Sequence, residues 1–250
     1  MPGHVFLVDS LADAVPGGEV ALAGPEGRHA VTVLRVRAGE SVEVVDGQGR
    51  RARGVMSDIR KDAASVTVAE VVDEPLPDPR VIVVQALAKG DRGERAVETL
   101  TEVGVDEIVP WSAERSVSRW RDEKADRGLE KWRTAARAAA KQARRARIPD
   151  VHALASTQDL EDLVRSAELA LVLDEEAVQP VGSVTIPSTG SVLIVVGPEG
   201  GMTDAERRGF ESWGARLVRL GPSVLRTSTA GTVAAGIVLA TTARWRGAPS

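Results

Sequence analysis

Residues 192–201 read Val-Leu-Ile-Val-Val-Gly-Pro-Glu-Gly-Gly, an apolar run that leads directly into a glycine-rich loop. The run is short and β-branched, which is typical of a buried strand. Thr203 and Glu206 follow at the spacing of a capping box, so a helix is predicted to begin there. A strand, a glycine loop and a helix in this order place bare backbone and a helix N-terminus against a small ligand.

A second loop of similar placement reads LGPSVLRTST from Leu220 to Thr229. Arg226 is its informative residue, because a lone arginine among small and apolar residues seeks an anion, a carbonyl or a nucleobase. The alternative is a plain helix start, with Ser228 or Thr229 as N-cap and Pro222 stiffening the turn. For the first loop the alternative is a tight turn in which the glycines serve geometry only. Together the two loops predict one ligand pocket.

Composition and motif content exclude several function classes. The chain has 250 residues, 43% of them hydrophobic and 27% charged, as in an ordinary globular protein. It has no cysteine and only three scattered histidines, so disulfides, thiol catalysis and a metal site are not expected. No apolar run approaches membrane-spanning length, and the first residues do not resemble a secretory signal. We therefore expect a cytoplasmic protein. The glycine loop is neither a Walker A motif nor Gly-x-Gly-x-x-Gly.

The pattern of the chain changes at Pro75, Pro77 and Pro79. Residues 1–73 alternate short β-like runs with turn signals, which predicts a small β-barrel or sandwich. Residues 80–250 alternate strands and helices, which predicts a mostly parallel sheet with helices on both faces. Ligand pockets in such sheets lie outside the carboxyl ends of the strands. The predicted strands are 81–87, 106–110, 169–173, 192–196 and 216–220, and the predicted helices are 93–102, 126–146, 159–167, from 203 onward and 229–244.

The net charge is −4, yet the segment from Lys131 to Arg147 holds seven basic residues and no acidic one. Four of them recur every fourth residue and form a positive stripe opposite an alanine-rich face. A solvated face is the usual explanation of such a run, but an unbalanced stripe favours a phosphate backbone. Trp111 and Trp120 offer base stacking, although tryptophans are more often core residues. Further basic candidates in sequence order are Arg35, Arg37, Lys89, Arg92, Arg95, Arg115, Arg119 and Arg121.

Several motifs along almost the whole chain resemble one known family, the RsmE bacterial small-subunit rRNA uracil-N3 methyltransferases of the SPOUT superfamily. The most specific motifs are residues 197–201 followed by Glu206, and Leu220-Gly221 with residues 224–227 and 229–230. The others are residues 29–37 followed by 46–47, 89–90, 102–105, 112–116, 131–132, Gln142, Arg145, Arg147 and Pro149. Two positions depart from the family. Many relatives carry Glu where this chain has Ser228, so a carboxylate there cannot be the essential base. Residues 141–145 are more basic than the usual run.

The resemblance implies a fold and a reaction. The fold would be a PUA-like, RNA-binding β-barrel over 1–73, followed by an α/β domain over 80–250 whose carboxyl end threads a trefoil knot. The reaction would be the S-adenosylmethionine-dependent methylation of N3 of a specific uridine in 16S rRNA (uridine 1498 in rRNA numbering). The implied partners are the small ribosomal subunit and a second copy of the chain, with no membrane and no metal.

The resemblance also implies residue roles. Arg226 would stabilise negative charge on the uracil carbonyls, and Glu199 would orient a donor or accept the proton. The implied cofactor-binding residues are Leu173, Gly197, Pro198, Glu199, Gly200, Gly201, Leu220, Gly221, Val224, Leu225, Arg226 and Thr227. The implied RNA-binding residues are Arg35, Arg37, Lys89, Arg92, Arg115, Arg137, Lys141, Arg144, Arg145 and Arg147. Rival functions are a non-catalytic RNA-binding protein, a nucleotide-dependent oxidoreductase, and a methyltransferase acting on a ribose 2′-hydroxyl or another base position.

Overall fold

The computed structural model describes residues 3–120 and 123–246. The chain divides into two compact units. The first comprises Met1–Leu76 together with Ala140–Ile148, and the second comprises Pro77–Ala139 and Pro149–Ser250. The sequence boundaries of 1–73 and 80–250 did not anticipate that residues 140–148 return to the first unit.

The first unit is built on a small curled sheet. Its strands are β1 (His4–Leu7), β2 (Glu19–Leu22), β3 (Ser41–Val45), β4 (Arg50–Ile59) and β5 (Ala64–Asp73), in the order β1-β3-β4-β5-β2. β1 is parallel to β3 and the other pairs are antiparallel. The Asp46 carboxylate closes the predicted β3–β4 hairpin by accepting the N–H groups of Gln48 and Arg50, at 2.7 and 3.1 Å.

Two features of the first unit escape sequence reasoning. A short helix α1 (Gly24–Arg28) continues into a π-helical turn (His29–Val33), because Gly24 and Pro25 read as loop residues and the helix is too short to show a period. β4 begins Arg-Arg-Ala-Arg, which hides its alternation of buried and exposed positions.

The second unit is an α/β fold around a parallel sheet, as predicted. Its strands are β6 (Arg80–Ala86), β7 (Glu107–Trp111), β8 (Asp150–Val151), β9 (Leu169–Leu173), β10 (Ser191–Val196) and β11 (Arg216–Val218). They lie in the order β11-β9-β10-β6-β7-β8, and every pair is parallel. Strands buried on both faces carry nearly continuous apolar runs, which is why β6, β9 and β10 were predicted to within a residue.

Helices cover both faces of this sheet. They are α2 (Arg92–Val103), α3 (Glu123–Gln142), α4 (Glu161–Ser166), α5 (Asp204–Ser212), α6 (Thr227–Thr241) and α7 (Ala243–Arg246), with 3₁₀ turns at Gln158–Leu160 and Val181–Ser183. One face packs on Val164 of α4 and Phe210 of α5. On the other face α6 approaches so closely that a Cβ at Gly231 would lie 3.1 Å from Val196 Cγ2. Small residues on α6 therefore serve packing within the chain.

The predicted helix 126–146 was too long at its carboxyl end. α3 stops at Gln142, and Arg144 adopts a left-handed backbone conformation with φ of 58°. Within the described part of the chain, no helix is both long and apolar enough to cross a membrane. The same residues hold no cluster of three or more His, Cys, Asp or Glu side chains that would bind a metal.

The predicted capping box at Thr203 and Glu206 is confirmed, and its carboxylate does more than cap. Glu206 is buried, and its Oε2 accepts the Thr203 N–H at 2.8 Å. Its Oε1 accepts the Glu114 N–H at 2.9 Å and the Thr157 hydroxyl at 3.2 Å. One carboxylate thus joins the start of α5 to the loop after β7 and to the segment before α4.

Replacing Glu206 with Ala will lower the free energy of unfolding by about 3 kcal/mol, since a helix cap is lost and buried donors lose their acceptor. Urea denaturation followed by circular dichroism measures the change. Glu211→Ala, at an exposed position of the same helix, is the control and will shift stability little. Equal effects of the two substitutions would contradict this role for Glu206.

Candidate active site

A cavity of about 490 Å³ opens at the carboxyl ends of β9, β10 and β11, where the two glycine-containing loops meet. Eleven of the twelve residues implied for cofactor binding line it, namely Leu173, Gly197, Pro198, Glu199, Gly201, Leu220, Gly221, Val224, Leu225, Arg226 and Thr227. Gly200 does not line the cavity. It lies against Arg115 instead, and a Cβ at Gly200 would approach both Cβ and O of Arg115 to 3.2 Å.

The two loops are tied together by one hydroxyl. Thr227 Oγ1 donates to the carbonyl of Gly197 at 2.8 Å and accepts from Nε2 of Gln85 at 3.0 Å. Gln85 is completely buried at the end of β6, and the Thr227 side chain stands in the first turn of α6. The glycine loop after β10, the second loop and the central strand β6 are therefore fixed to each other.

The first loop owes its shape to its last glycine. Gly201 has a φ of 72°, which side-chain-bearing residues rarely adopt, and its N–H donates to the Pro198 carbonyl at 2.9 Å. Met202 folds back beneath the loop, because a Cβ at Gly197 would lie 3.2 Å from Met202 Cγ. The turn thus exposes backbone on the cavity side and apolar contacts on the other.

Glu199 joins this loop to the segment between β6 and α2. Its Oε1 accepts the Lys89 N–H at 3.2 Å and a guanidinium N–H of Arg92 at 3.1 Å. Burial by itself raises the pKa of Glu199, but the Lys89 N–H, the N–H of Glu199 itself and Arg92 together outweigh it and hold the pKa below its ordinary 4.5. Glu199 is therefore ionised at neutral pH.

Arg226 is the N-cap residue of α6, in place of the Ser228 or Thr229 that the sequence suggested. That alternative is wrong because the helix begins one or two residues earlier, and the Arg226 carbonyl accepts the N–H groups of Thr229 and Ala230. The guanidinium lines the cavity, is exposed, and forms no ion pair with any described residue. A free cation thus stands at the cavity mouth.

Sequence reasoning missed a buried ion pair in the cavity wall. The Asp174 side chain is only 2% exposed, and its Oδ2 lies 2.9 Å from Nε of Arg207 on α5. A hydrogen bond to Glu176 is the main cause that raises the pKa of Arg207. An acidic residue directly after β9, beside a loop-lined edge, was the available signal. Further cavity residues not predicted for the cofactor are Arg92, Glu175, Val196, Met202, Arg219, Pro222, Ser223 and Ala230.

Six of the implied RNA-binding residues lie in the first unit: Arg35, Arg37, Lys141, Arg144, Arg145 and Arg147. Arg35 and Arg37 are exposed and form no ion pair with a described residue, and Arg35 has a φ of 54°. Lys141 is neutralised by Glu26, at 2.7 Å. Arg147 packs over Gly49 and donates to the Glu74 carbonyl at 2.6 Å, and Arg144 and Arg145 also have partners.

The other four lie in the second unit: Lys89, Arg92, Arg115 and Arg137. Lys89 and Arg137 are exposed, Arg92 is paired with Glu199, and Nη1 of Arg115 lies 3.4 Å from the Met202 carbonyl. Among the additional candidates, Arg95 pairs with Asp91 at 2.8 Å, Nη2 of Arg119 donates to the Glu114 carbonyl, and Arg121 lies outside the described residues. Trp111 is fully buried and unavailable for base stacking, whereas Trp120 is half-buried.

Comparison with known proteins identifies the family. Residues 74–239 match the model of an RNA methyltransferase domain, and residues 22–69 match that of an RNA methyltransferase PUA domain. The chain belongs to the RNA methyltransferase family. The larger match contains both loops and every residue that lines the cavity.

Relatives of this RNA methyltransferase cover nearly its whole length. A protein of Mycobacterium bovis named ribosomal RNA small subunit methyltransferase E is 43% identical, over 98% of this chain and 94% of its own. The protein of that name from Bacillus subtilis is 32% identical, over 84% and 85%. A Legionella pneumophila methyltransferase solved with bound SAM is 27% identical, covers 97% of this chain and 99% of its own, and superimposes with a TM-score of 0.80.

Replacing Thr227 with Val will lower the free energy of unfolding by about 2 kcal/mol, because the Gln85 amide and the Gly197 carbonyl lose a buried partner at nearly constant side-chain volume. Thr227→Ser retains the hydroxyl and will recover most of the loss. Thr229→Val, at an exposed position of the same helix, is the matched control. If Thr227→Val were as stable as the unmodified chain in urea denaturation, the hydroxyl would not join the loops.

The link through Glu199 will depend on pH. A carboxylate whose folded pKa lies below 4.5 contributes stability that is fully present above that value and is lost as the pH falls through the folded pKa. The stability difference between the unmodified chain and Glu199→Gln will therefore be constant above about pH 5.5 and will shrink below it. Urea denaturation across this range, with Glu98→Gln as an exposed control, measures the profile. A difference that grows on acidification would contradict the assignment.

Proposed function

We propose that this chain transfers a methyl group from S-adenosylmethionine to N3 of a specific uridine in 16S rRNA of the small ribosomal subunit, corresponding to uridine 1498 in rRNA numbering. The observation that carries the proposal is the cavity at the carboxyl ends of the strands, whose two loops are held by Thr227 and whose mouth carries the unpaired guanidinium of Arg226. Membership of the RNA methyltransferase family and the names of the relatives agree with it.

The cavity fits the methyl donor. Its volume lies within the range of small-molecule sites, about 300 to 1,000 Å³. Leu173, Val196 and Leu225 offer apolar walls for the adenine, and the glycine loops offer backbone donors and acceptors. Oδ2 of Asp174 is buried and accepts no hydrogen bond from a described residue, so it is available to a donor group on a cationic ligand. When bound, S-adenosylmethionine supplies a methyl group activated by a sulfonium.

Arg226 serves the charge that develops on the base. Methylation at N3 requires loss of the imide proton, which leaves negative charge on the two carbonyl oxygens of uracil. A fixed guanidinium close to that charge lowers the cost of forming it. The N-cap position holds the Arg226 backbone by its bonds to Thr229 and Ala230, while the side chain remains free to reach the substrate.

Glu199 is assigned a positioning role instead of the role of general base. A general base works best when its pKa lies near the working pH, and the pKa of Glu199 is held below 4.5. Its carboxylate is engaged by the Lys89 N–H and by Arg92. The imide is weakly acidic by itself, and Arg226 favours its anion, so water suffices as the proton acceptor.

The proposal includes the finer features that the family resemblance implies. These are a homodimer, a carboxyl-terminal trefoil knot, action in the cytoplasm, and RNA contacts made partly by the first unit. Support for pairing comes from apolar residues that the chain leaves exposed near the site, with Val224 of the second loop 75% exposed and Val233 of α6 38% exposed. Support for RNA contacts comes from the exposed and unpaired Arg35 and Arg37.

Incubation with labelled S-adenosylmethionine and small ribosomal subunits from cells that lack the enzyme, followed by nucleoside mass spectrometry, will yield 3-methyluridine. Arg226→Ala will reduce the rate roughly 100-fold or more, because a preorganised stabiliser of transition-state charge is removed. The exposed Arg208→Ala is the matched control and will retain activity. A different methylated nucleoside would overturn the assigned target. RNA binding without methylation would favour the non-catalytic function.

A further inference from the structure

A second cavity, of about 340 Å³, opens in the second unit and shares no lining residue with the first. Its walls include Trp120 and Trp132, and its rim carries Arg119, Arg127, Lys131 and Glu94. We refer to it as the tryptophan cavity. None of the reaction roles assigned above uses any of these residues.

The aromatic wall is built against bare backbone. The rings of Trp120 and Trp132 meet edge to face, with centroids 5.2 Å apart and planes at 77°. A Cβ at Gly128 on α3 would lie 2.4 Å from the Trp120 ring, and one at Gly93 on α2 would lie 3.0 Å from Nε1 of Trp132. The two glycines thus let the indoles lie directly on the helices. Trp132 is buried by this packing, whereas Trp120 remains half-exposed on the cavity wall.

The rim of the cavity is positive. Three cationic side chains face one carboxylate, that of Glu94. Lys131 is exposed and forms no ion pair with any described residue, and Arg119 spends one N–H on the Glu114 carbonyl at 3.2 Å. Aromatic rings that stack bases, together with cations that contact phosphates, are the combination by which proteins hold single-stranded nucleic acid.

The tryptophan cavity lies next to the proposed active site. The segment between β6 and α2 separates the two cavities, since Arg92 lines the larger one and its neighbour Gly93 lines the smaller. The same segment is held by Glu199 through Lys89 and Arg92. A ligand in one cavity therefore lies beside a ligand in the other.

We propose that the tryptophan cavity binds one unpaired nucleotide of the RNA substrate, with its base against Trp120 and its phosphate beside Lys131 and Arg119. This inference rests on the proposed function, because the nucleotide held here would be a neighbour of the uridine that is methylated. The chemistry recognised is a base joined to a phosphate, which a free mononucleotide also carries, so the test includes both sources.

The test measures binding of a short fluorescein-labelled oligouridylate by fluorescence anisotropy. Trp120→Leu removes the π face but keeps apolar volume, and it will weaken binding roughly ten-fold. The control, Trp245→Leu, changes a tryptophan that is 52% exposed and lines neither cavity, and it will leave affinity unchanged. Lys131→Ala will reduce the slope of log affinity against log salt by about one, whereas Arg208→Ala will not.

Two results would overturn the proposal. One is an affinity of Trp120→Leu equal to that of the unmodified chain, with unaltered circular dichroism. The other is equally tight binding of UMP alone, measured by tryptophan fluorescence, which would assign the cavity to a free nucleotide. If Trp120→Leu failed to fold, the salt slope of Lys131→Ala would decide. Calorimetric binding of S-adenosylmethionine separates the two proposals, because Trp120→Leu will bind it normally. Weakened RNA binding without 3-methyluridine formation by the unmodified chain would support the cavity and contradict the reaction.

Discussion

The hydroxyl of Thr227 is the interaction on which the proposed active site depends. It stands between the buried Gln85 amide of β6 and the Gly197 carbonyl that opens the glycine loop. Both groups lie where water has little access, so each needs a protein partner. Because Thr227 also begins α6, one side chain sets the distance between the two loops that line the larger cavity. The loops therefore hold their shape before any ligand arrives, which lowers the cost of binding.

The carboxylates around the site serve architecture, and one arginine is left for chemistry. Glu206 satisfies donors from three segments, and Glu199 is held ionised between the Lys89 N–H and Arg92. Both acids are thereby committed to holding loops. Arg226 has its backbone fixed by the helix start and its guanidinium unpaired. This division suits a reaction that needs a stabilised anion more than a strong base.

Sequence reasoning was most accurate where a pattern is local. Continuous apolar runs predicted β6, β9 and β10, and the Thr203–Glu206 spacing predicted the start of α5. It was least accurate where a side chain's partner is remote. Lys141 reads as a free cation, yet its partner Glu26 is 115 residues away. The role of Thr227 was hidden for the same reason, since Gln85 lies 142 residues earlier in the chain. Asp174 was overlooked because nothing local marks its pairing with Arg207.

The most direct test of the central claim, that the two loops joined by Thr227 form the methyl-donor site, is a crystal structure of the chain with S-adenosylhomocysteine. We predict the ligand in the larger cavity, between residues 197–201 and 220–227, with the bonds of Thr227 to Gln85 and Gly197 intact. A ligand bound elsewhere in the chain, or no ligand at saturating concentration, would contradict the claim.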